Sequence, residues 1–234
     1  PELRLTDLST CLEMNKAQVL RLASTLEEGG FLARDPVTKN YRLGVALLHL
    51  GLLVQRQLDL RTIARPFLER LVAETQETAR IVVPDPDGPV CIEAVDSPKG
   101  IRVFAQPGVR MPWNAGASPQ LILAYLPDHE RNRILNRDQF RAFTEHTTIN
   151  PDELRAQLCE IRARGYNVVS DDLDEGATGV SAPIFDHQSR IAGTINISAP
   201  SIRLSNTDIE RIVELVVDAA RSISMQLGYA PASN

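Results

Sequence analysis

The sequence predicts an α+β chain that opens with a winged helix-turn-helix and continues into a larger mixed domain. Three observations predict it. Near the start, two helical patterns flank a short polar break and are followed by two extended runs around a turn. Beyond residue 60 the strand patterns are joined by tight turns while the helical ones are grouped apart, as in α+β folds rather than doubly wound parallel sheets. Across 234 residues, 43% hydrophobic and 24% charged, no repeat or low-complexity run interrupts these patterns.

The elements follow in order. Leu5, Leu8 and Leu12 stand at helical spacing and predict a helix over 6–12. Asn15 is a natural N-cap for a second helix over 16–28, which Gly29-Gly30 stops. On that helix Val19, Leu22, Ala23 and Leu26 share one face, and Ala17, Gln18, Arg21 and Thr25 share the opposite one. Extended runs at 31–34 and 40–43 flank the turn-rich Asp35-Pro36-Val37-Thr38-Lys39. Residues 44–58 form a strongly apolar helical stretch, which packs either against a second copy of the chain or inside the monomer.

The second part starts with a helix over 60–76, then strands at 79–83, 90–94 and 101–105. Helices follow at 118–126, 128–135 and 151–164, the last with Asn150 as cap, Pro151 in its first turn and Gly165 past its end. Strands return at 166–170, 179–185 and 190–198. The closing helix begins at Ser205, with Asp208 completing a capping box. Its stripe of Ile209, Ile212, Val213, Val216, Ala220 and Ile223 is expected to dock on the sheet.

Charge and composition narrow the function classes. The net charge of −5 argues superficially against nucleic acid, yet residues 1–60 carry seven Lys/Arg and seven Asp/Glu, so the deficit lies beyond them. A neutral small domain still binds DNA if its cations share a face. No run approaches the about 18 apolar residues of a membrane span, and no basic-then-apolar signal segment opens the chain. The start at Pro1 rather than Met leads us to expect a missing upstream piece. Cys11, Cys91 and Cys159 lie far apart and read as small packing residues in a reducing cytoplasm.

Catalysis finds little support. Ser118 is outside any G-x-S-x-G elbow and Ser181 lacks an activating context. His49, His129, His146 and His187 show no metal-ligand spacing. Asp171, Asp172, Asp174 and Glu175 read as a solvated acidic loop. No catalytic residue, metal or cofactor is assigned. The remaining rival is a pure interaction module.

A recognition helix needs an apolar side to hold it and a polar side to enter the major groove. The second helix has both, so Ala17, Gln18 and Arg21 are the expected base readers, with Thr25 further along the same face. Lys16 is expected on the backbone flank, and Arg34, Lys39 and Asn40 on the wing would touch phosphate or the minor groove.

In the strand at 190–198, Ile191, Gly193, Ile195 and Ile197 alternate with Ala192, Thr194, Asn196 and Ser198. The second set is an ordinary solvent side or a ligand side, and its lack of charge favours the ligand. Asn114-Ala115-Gly116-Ala117-Ser118-Pro119-Gln120 opens a helix whose unpaired N–H groups suit a carboxylate, unless this is simply a capped helix.

Several segments carry a family resemblance: the run from Leu5 through Val19-Leu20-Arg21-Leu22-Ala23-Ser24-Thr25-Leu26-Glu27-Glu28-Gly29-Gly30-Phe31-Leu32, then Tyr41-Arg42-Leu43-Gly44 and Arg65-Pro66-Phe67-Leu68-Glu69-Arg70-Leu71. Arg164-Gly165-Tyr166, Glu175-Gly176-Ala177-Thr178-Gly179-Val180-Ser181-Ala182-Pro183 and Ile197-Ser198-Ala199-Pro200 continue it. In this order they resemble the IclR family of transcriptional regulators over essentially the whole chain, except a first helix that the resemblance places before Pro1.

The resemblance implies a GAF-like effector domain and a homodimer, or a dimer of dimers, on palindromic double-stranded operator DNA. It also implies control of catabolic operons by a metabolite. The implied division is a DNA-binding domain at 1–43, a linker or dimerisation helix at 44–60, an effector domain at 61–228 and a tail at 229–234. The implied pocket for a small carboxylate is Asn114, Ala117, Ser118, Val169, Ala177, Gly179, Asn196 and Ser198, with Met111 and Trp113 as apolar wall. Members commonly carry His at the position of Asn114, Gly-Lys at Pro119-Gln120, Asp at Val169 and Cys at Gly179. The departures imply an uncharged, enlarged pocket for a larger, partly apolar acid, aromatic ones included.

Overall fold

The computed structural model describes residues 2–50, 59–137 and 140–230. The chain divides into two compact units, the boundary falling after Asp59.

The first unit contains α1 (Leu5–Cys11), α2 (Lys16–Glu28) and a hairpin of β1 (Leu32–Arg34) and β2 (Tyr41–Leu43). Local hydrogen bonds set these boundaries. Asn15 Oδ1 accepts from the Gln18 N–H at 2.9 Å and starts α2. At the hairpin tip the Asp35 carboxylate accepts from the N–H groups of Val37 and Thr38 at 2.9 and 2.7 Å, and Lys39 turns the chain with φ +62°. Leu3 adds a bridge to Tyr41 on β2, at 3.0 and 2.8 Å. Val19, Ala23 and Tyr41 form the buried centre.

Of the four residues expected on the inner face of α2, Leu22 and Leu26 are instead 49% and 44% exposed. α1 and β1 pack on α2 along the strip centred on Val19 and Ala23, which leaves the flanking leucines in solvent. Residues 45–50 are helical, as the apolar stretch predicts. Its remainder, 51–58, and with it the question of what it packs against, lies outside the described residues.

The second unit is built on a five-stranded antiparallel sheet in the order β4-β3-β7-β6-β5. Its strands are β3 (Thr78–Val83), β4 (Val90–Val95), β5 (Asn167–Ser170), β6 (Ala177–Phe185) and β7 (Ile191–Pro200). Two helices, α3 (Leu60–Thr75) and α7 (Asn206–Gln226), pack against one face, and α4 (Ala117–Tyr125) covers the other. Behind α4 lies α6 (Pro151–Arg164), preceded by α5 (Asp128–Arg137). Ser205 and Asp208 close the expected capping box on α7, whose Ile212, Val216, Ala220 and Ile223 are buried. Gly165 ends α6 in the left-handed region at φ +81°, a conformation glycine adopts without strain.

Two expectations fail here. The strand expected at 101–105 does not form, and Ile101 and Phe104 are exposed. The open edge of β4 is filled by residues 108–111 instead: Cys91 N–H donates to Val109 O at 3.0 Å, and Met111 N–H to Pro89 O at 2.7 Å. The packing role expected of three cysteines holds for Cys91, whereas Cys11 and Cys159 are exposed. α1 buries no residue, and α6 turns Leu154, Leu158 and Ile161 inward, leaving Cys159 outside. No helix among the described residues is long and apolar enough to cross a membrane.

Candidate DNA-contacting helix and ligand site

On α2 the residues named as base readers stand together. Lys16, Ala17, Gln18, Arg21 and Thr25 are all exposed; Ala17, Gln18, Arg21 and Thr25 lie on the side away from Val19 and Ala23, while Lys16 stands at the helix start on the flank nearer that pair. On the wing, Arg34 and Lys39 are exposed and Asn40 is half-buried. Arg34 is ordered: its Nε–H donates to Lys39 O at 3.2 Å and its guanidinium lies 5.4 Å from the Tyr41 ring centroid. This stacking braces the wing cation against the hairpin.

In the second unit, strand register builds a polar band that no short segment reveals. Asn167 on β5 pairs with Ser181 on β6, Ser181 with Asn196 on β7, and Asn196 with Arg80 on β3. Register partners on neighbouring strands project to the same side. Four polar side chains therefore cross the sheet in one row. The next row holds Val169, Gly179, Ser198 and Thr78. α4 covers this face, because a Cβ on Gly179 would meet the Ala117 Cβ at 3.2 Å.

The sequence-named residues divide into two groups. Ala117, Gly179, Asn196 and Ser198 come together, with Val169 and Ala177 at the rim. Asn114, Met111 and Trp113 are engaged elsewhere. The Asn114 amide donates to the carbonyls of Arg141 and Thr148, both at 3.0 Å. Met111 and Trp113 pack in the hydrophobic core with Leu121, Leu154 and Ile161.

Three expectations about the chemistry are corrected. The pocket is not enlarged at Gly179, since Ala117 and the Asn196 amide already close that space. The start of α4 is not open to an added carboxylate at Gly116, whose N–H donates to Asp172 Oδ2 at 2.8 Å. Nor is the site uncharged. Arg80 Nε–H donates to Asn196 Oδ1 and Nη2–H to Ser198 Oγ, each at 3.1 Å. Arg80 is absent from the residues the sequence points to, although a lone cation inside the apolar run Ala79-Arg80-Ile81-Val82 is a visible signal.

Asp172, read from sequence as part of a solvated loop, is 7% exposed. It also accepts from Gln120 Nε2 at 3.0 Å, and Gln120 donates again to Asn114 O at 3.0 Å. Asn167 Nδ2 completes the lock by donating to Ala117 O and Gln120 Oε1, at 3.2 and 3.1 Å. Burial pushes the Asp172 carboxyl above its ordinary value, against the pull of the N–H groups that face it.

This sets a sign for pH dependence. The folded chain holds the Asp172 proton more tightly than the unfolded chain, so this group favours folding at low pH. Its contribution declines as pH rises from the ordinary carboxylate value through the raised one. Subtracting the melting free energy of Asp172→Asn from that of wild type should give a difference that falls with pH over the weakly acidic range. A difference that rises would show that the hydrogen bonds from Gly116 and Gln120 outweigh burial.

The buried Ser118 and Ser181 hydroxyls have no hydrogen-bond partner among the described residues. Such groups are rare in native interiors and ask for a satisfying atom from elsewhere.

Comparison with known proteins agrees with this arrangement along the chain. Residues 53–225 match the family model of the bacterial transcriptional regulator IclR C-terminal domain, and residues 1–36 match the IclR helix-turn-helix domain. The chain is 32% identical over 229 residues to the HTH-type transcriptional regulator KipR of Bacillus subtilis, covering 98% of this chain and 91% of KipR. It is 28% identical to the HTH-type transcriptional regulator XynR of Escherichia coli, covering 97% and 90%. Among solved structures it is similar to HmgR of Pseudomonas aeruginosa, with a TM-score of 0.81 and 25% identity over 98% of this chain and 91% of that one. The Thermotoga maritima IclR gives a TM-score of 0.71 and 28% identity over 98% and 92%. A family model over most of the length, and relatives along nearly all of it, establish that the chain belongs to the IclR family of bacterial transcriptional regulators, DNA-binding proteins that are not enzymes.

Proposed function

We propose that the chain is a metabolite-controlled operator-binding regulator. α2 enters the major groove of double-stranded operator DNA through Ala17, Gln18 and Arg21. Thr25 extends the same face, and Lys16, Arg34, Lys39 and Asn40 steady it on the backbone. A small organic acid of a catabolic pathway binds between α4 and the polar face of the sheet, a GAF-like arrangement, and thereby sets operator affinity. The acting form is a homodimer or a dimer of dimers on a palindromic site, in the cytoplasm where that DNA lies.

The observation that carries the reading is the polarity of α2, with Gln18 and Arg21 exposed opposite the buried pair Val19 and Ala23. The unpartnered hydroxyls of Ser118 and Ser181 support a ligand in the second unit.

Electrophoretic shift of the DNA upstream of the chain's own gene, at fixed salt, tests the first half. Arg21→Ala should cost about 1–3 kcal/mol of affinity. Unchanged affinity would remove Arg21 from the interface. Failure of the wild-type chain to shift that DNA even at low salt would favour a module that only binds other proteins.

A further inference from the structure

Arg80 lies on β3, beside the central strand, and is half-buried. Its two side-chain partners, Asn196 and Ser198, are neutral and themselves buried. A guanidinium carries five N–H donors in a planar fork, and these contacts use two. No carboxylate lies within ion-pair distance of it among the described residues. The buried acids on β4 and just before β3 are treated differently. Glu77 is paired with Lys99 and Arg203, and Glu93 with Arg61 and Arg65.

A desolvated cation without a counter-ion is costly, and arginine does not escape by losing its proton. Burial holds the Arg80 guanidinium below its ordinary range, with Cys91 and the exposed Asp174 offsetting part of the effect. The start of α4, the other electropositive feature of this face, already donates its Gly116 N–H to the Asp172 carboxyl at 2.8 Å, so that donor is engaged. Arg80, Val169, Ala177 and Gly179 are half-buried around the closed floor of Asn196 and Ser198, so the face is reachable at this edge.

We propose that Arg80 is the anion anchor of the ligand site: its unused N–H edge takes a carboxylate of the effector, while Asn196 and Ser198 hold the guanidinium in plane. The inference rests on the effector reading above and deepens it by naming the charged end of the ligand and its partner. Ser181, further along the same row, offers its unpartnered hydroxyl to a polar group on the rest of the molecule. A planar fork favours a carboxylate held by two parallel hydrogen bonds. Acids are therefore selected over their amides.

Calorimetry on the full chain with pyruvate, lactate, benzoate and 4-hydroxybenzoate, each beside its amide, tests this. At least one acid should bind wild type and its amide should not. Arg80→Met should weaken that acid by at least about tenfold, with an unchanged melting temperature in the absence of ligand. Arg80→Lys, which keeps the charge and loses the fork, should fall between. Should Arg80→Met melt early, Arg80→Lys and the acid–amide comparison on wild type carry the decision. Wild-type-like binding by Arg80→Met, or binding of none of the acids by wild type, overturns the anchor. Operator shifts with the same preparations separate the two levels, since intact operator binding leaves the regulator reading standing when the anchor fails.

Discussion

Gly44→Ala should abolish operator binding while the second unit stays folded. The cause is a backbone approach at the exit of the hairpin. A Cβ on Gly44 would lie 2.0 Å from the Gly30 carbonyl oxygen and 2.7 Å from the Gly30 carbonyl carbon. Both belong to main chain, which cannot rotate aside as a side chain can. The contact is held by Gly44 N–H donating to Phe31 O at 2.8 Å and Ala46 N–H to Gly30 O at 3.1 Å. Relief requires those bonds to break, at a cost of about 3 kcal/mol or more.

A unit this small has little margin, on the order of 0.1 kcal/mol per residue, so α2 would lose its support. Gly29→Ala is the matched control. Its Cβ would meet Phe31 ring atoms at 2.8 Å, and a ring can turn away. The expected result is operator affinity down more than about a hundredfold for Gly44→Ala, much less for Gly29→Ala, and proteolytic cutting confined to the first unit. Equal and mild effects from both would show that the Gly30–Gly44 approach is not fixed.

The second large effect is expected at Leu121. This residue of α4 is fully buried and packs in one core with Ile122, Leu123, Leu154, Leu158 and Ile161. Leu121→Ala removes its apolar contacts and leaves a cavity that helix and sheet close only in part, costing about 2–5 kcal/mol. For a chain of this size that lowers the melting temperature by roughly 5–15 °C. Leu121→Met, which keeps the volume, should cost less than about 1.5 kcal/mol. Because Ala117 and Ser118 ride on the same helix, ligand affinity should fall with stability in Leu121→Ala and hold in Leu121→Met. A loss below about 1 kcal/mol for Leu121→Ala would mean that α4 is not packed on its neighbours as described.

Much of the fold was legible wherever the signal was local. Asn15, Asn150 and Ser205 each marked a helix start because a short polar side chain satisfies N–H groups two or three residues on. The stripe on α7 was legible because its period matches the helix. The segment at 101–105 misled because its apolar residues look like a strand, while the decision lay with the β4 edge, already taken by residues 108–111. Leu22 and Leu26 misled for a related reason. Periodicity marks an apolar face, and the neighbours decide how wide a strip of it they cover.

The proposed ligand site was legible only in part. Ala117, Gly179, Asn196 and Ser198, to which the sequence points, do converge. The pairing of Arg80 with Asn196 joins positions 116 residues apart and depends on β3 lying next to β7, which no nearby residue announces. The burial of Asp172 likewise depends on where Gly116 and Gln120 come to rest.

By itself, then, the sequence determined the order of elements, the polar side of α2 and the family, all of which rest on spacing along the chain. The tertiary structure alone decided that the sheet face beneath α4 carries Arg80 with no carboxylate in ion-pair distance among the described residues, and that the start of α4 holds an internal carboxylate. The physical reason is electrostatic. Whether a charge is solvated, paired or waiting depends on the distances at which distant strands and turns settle.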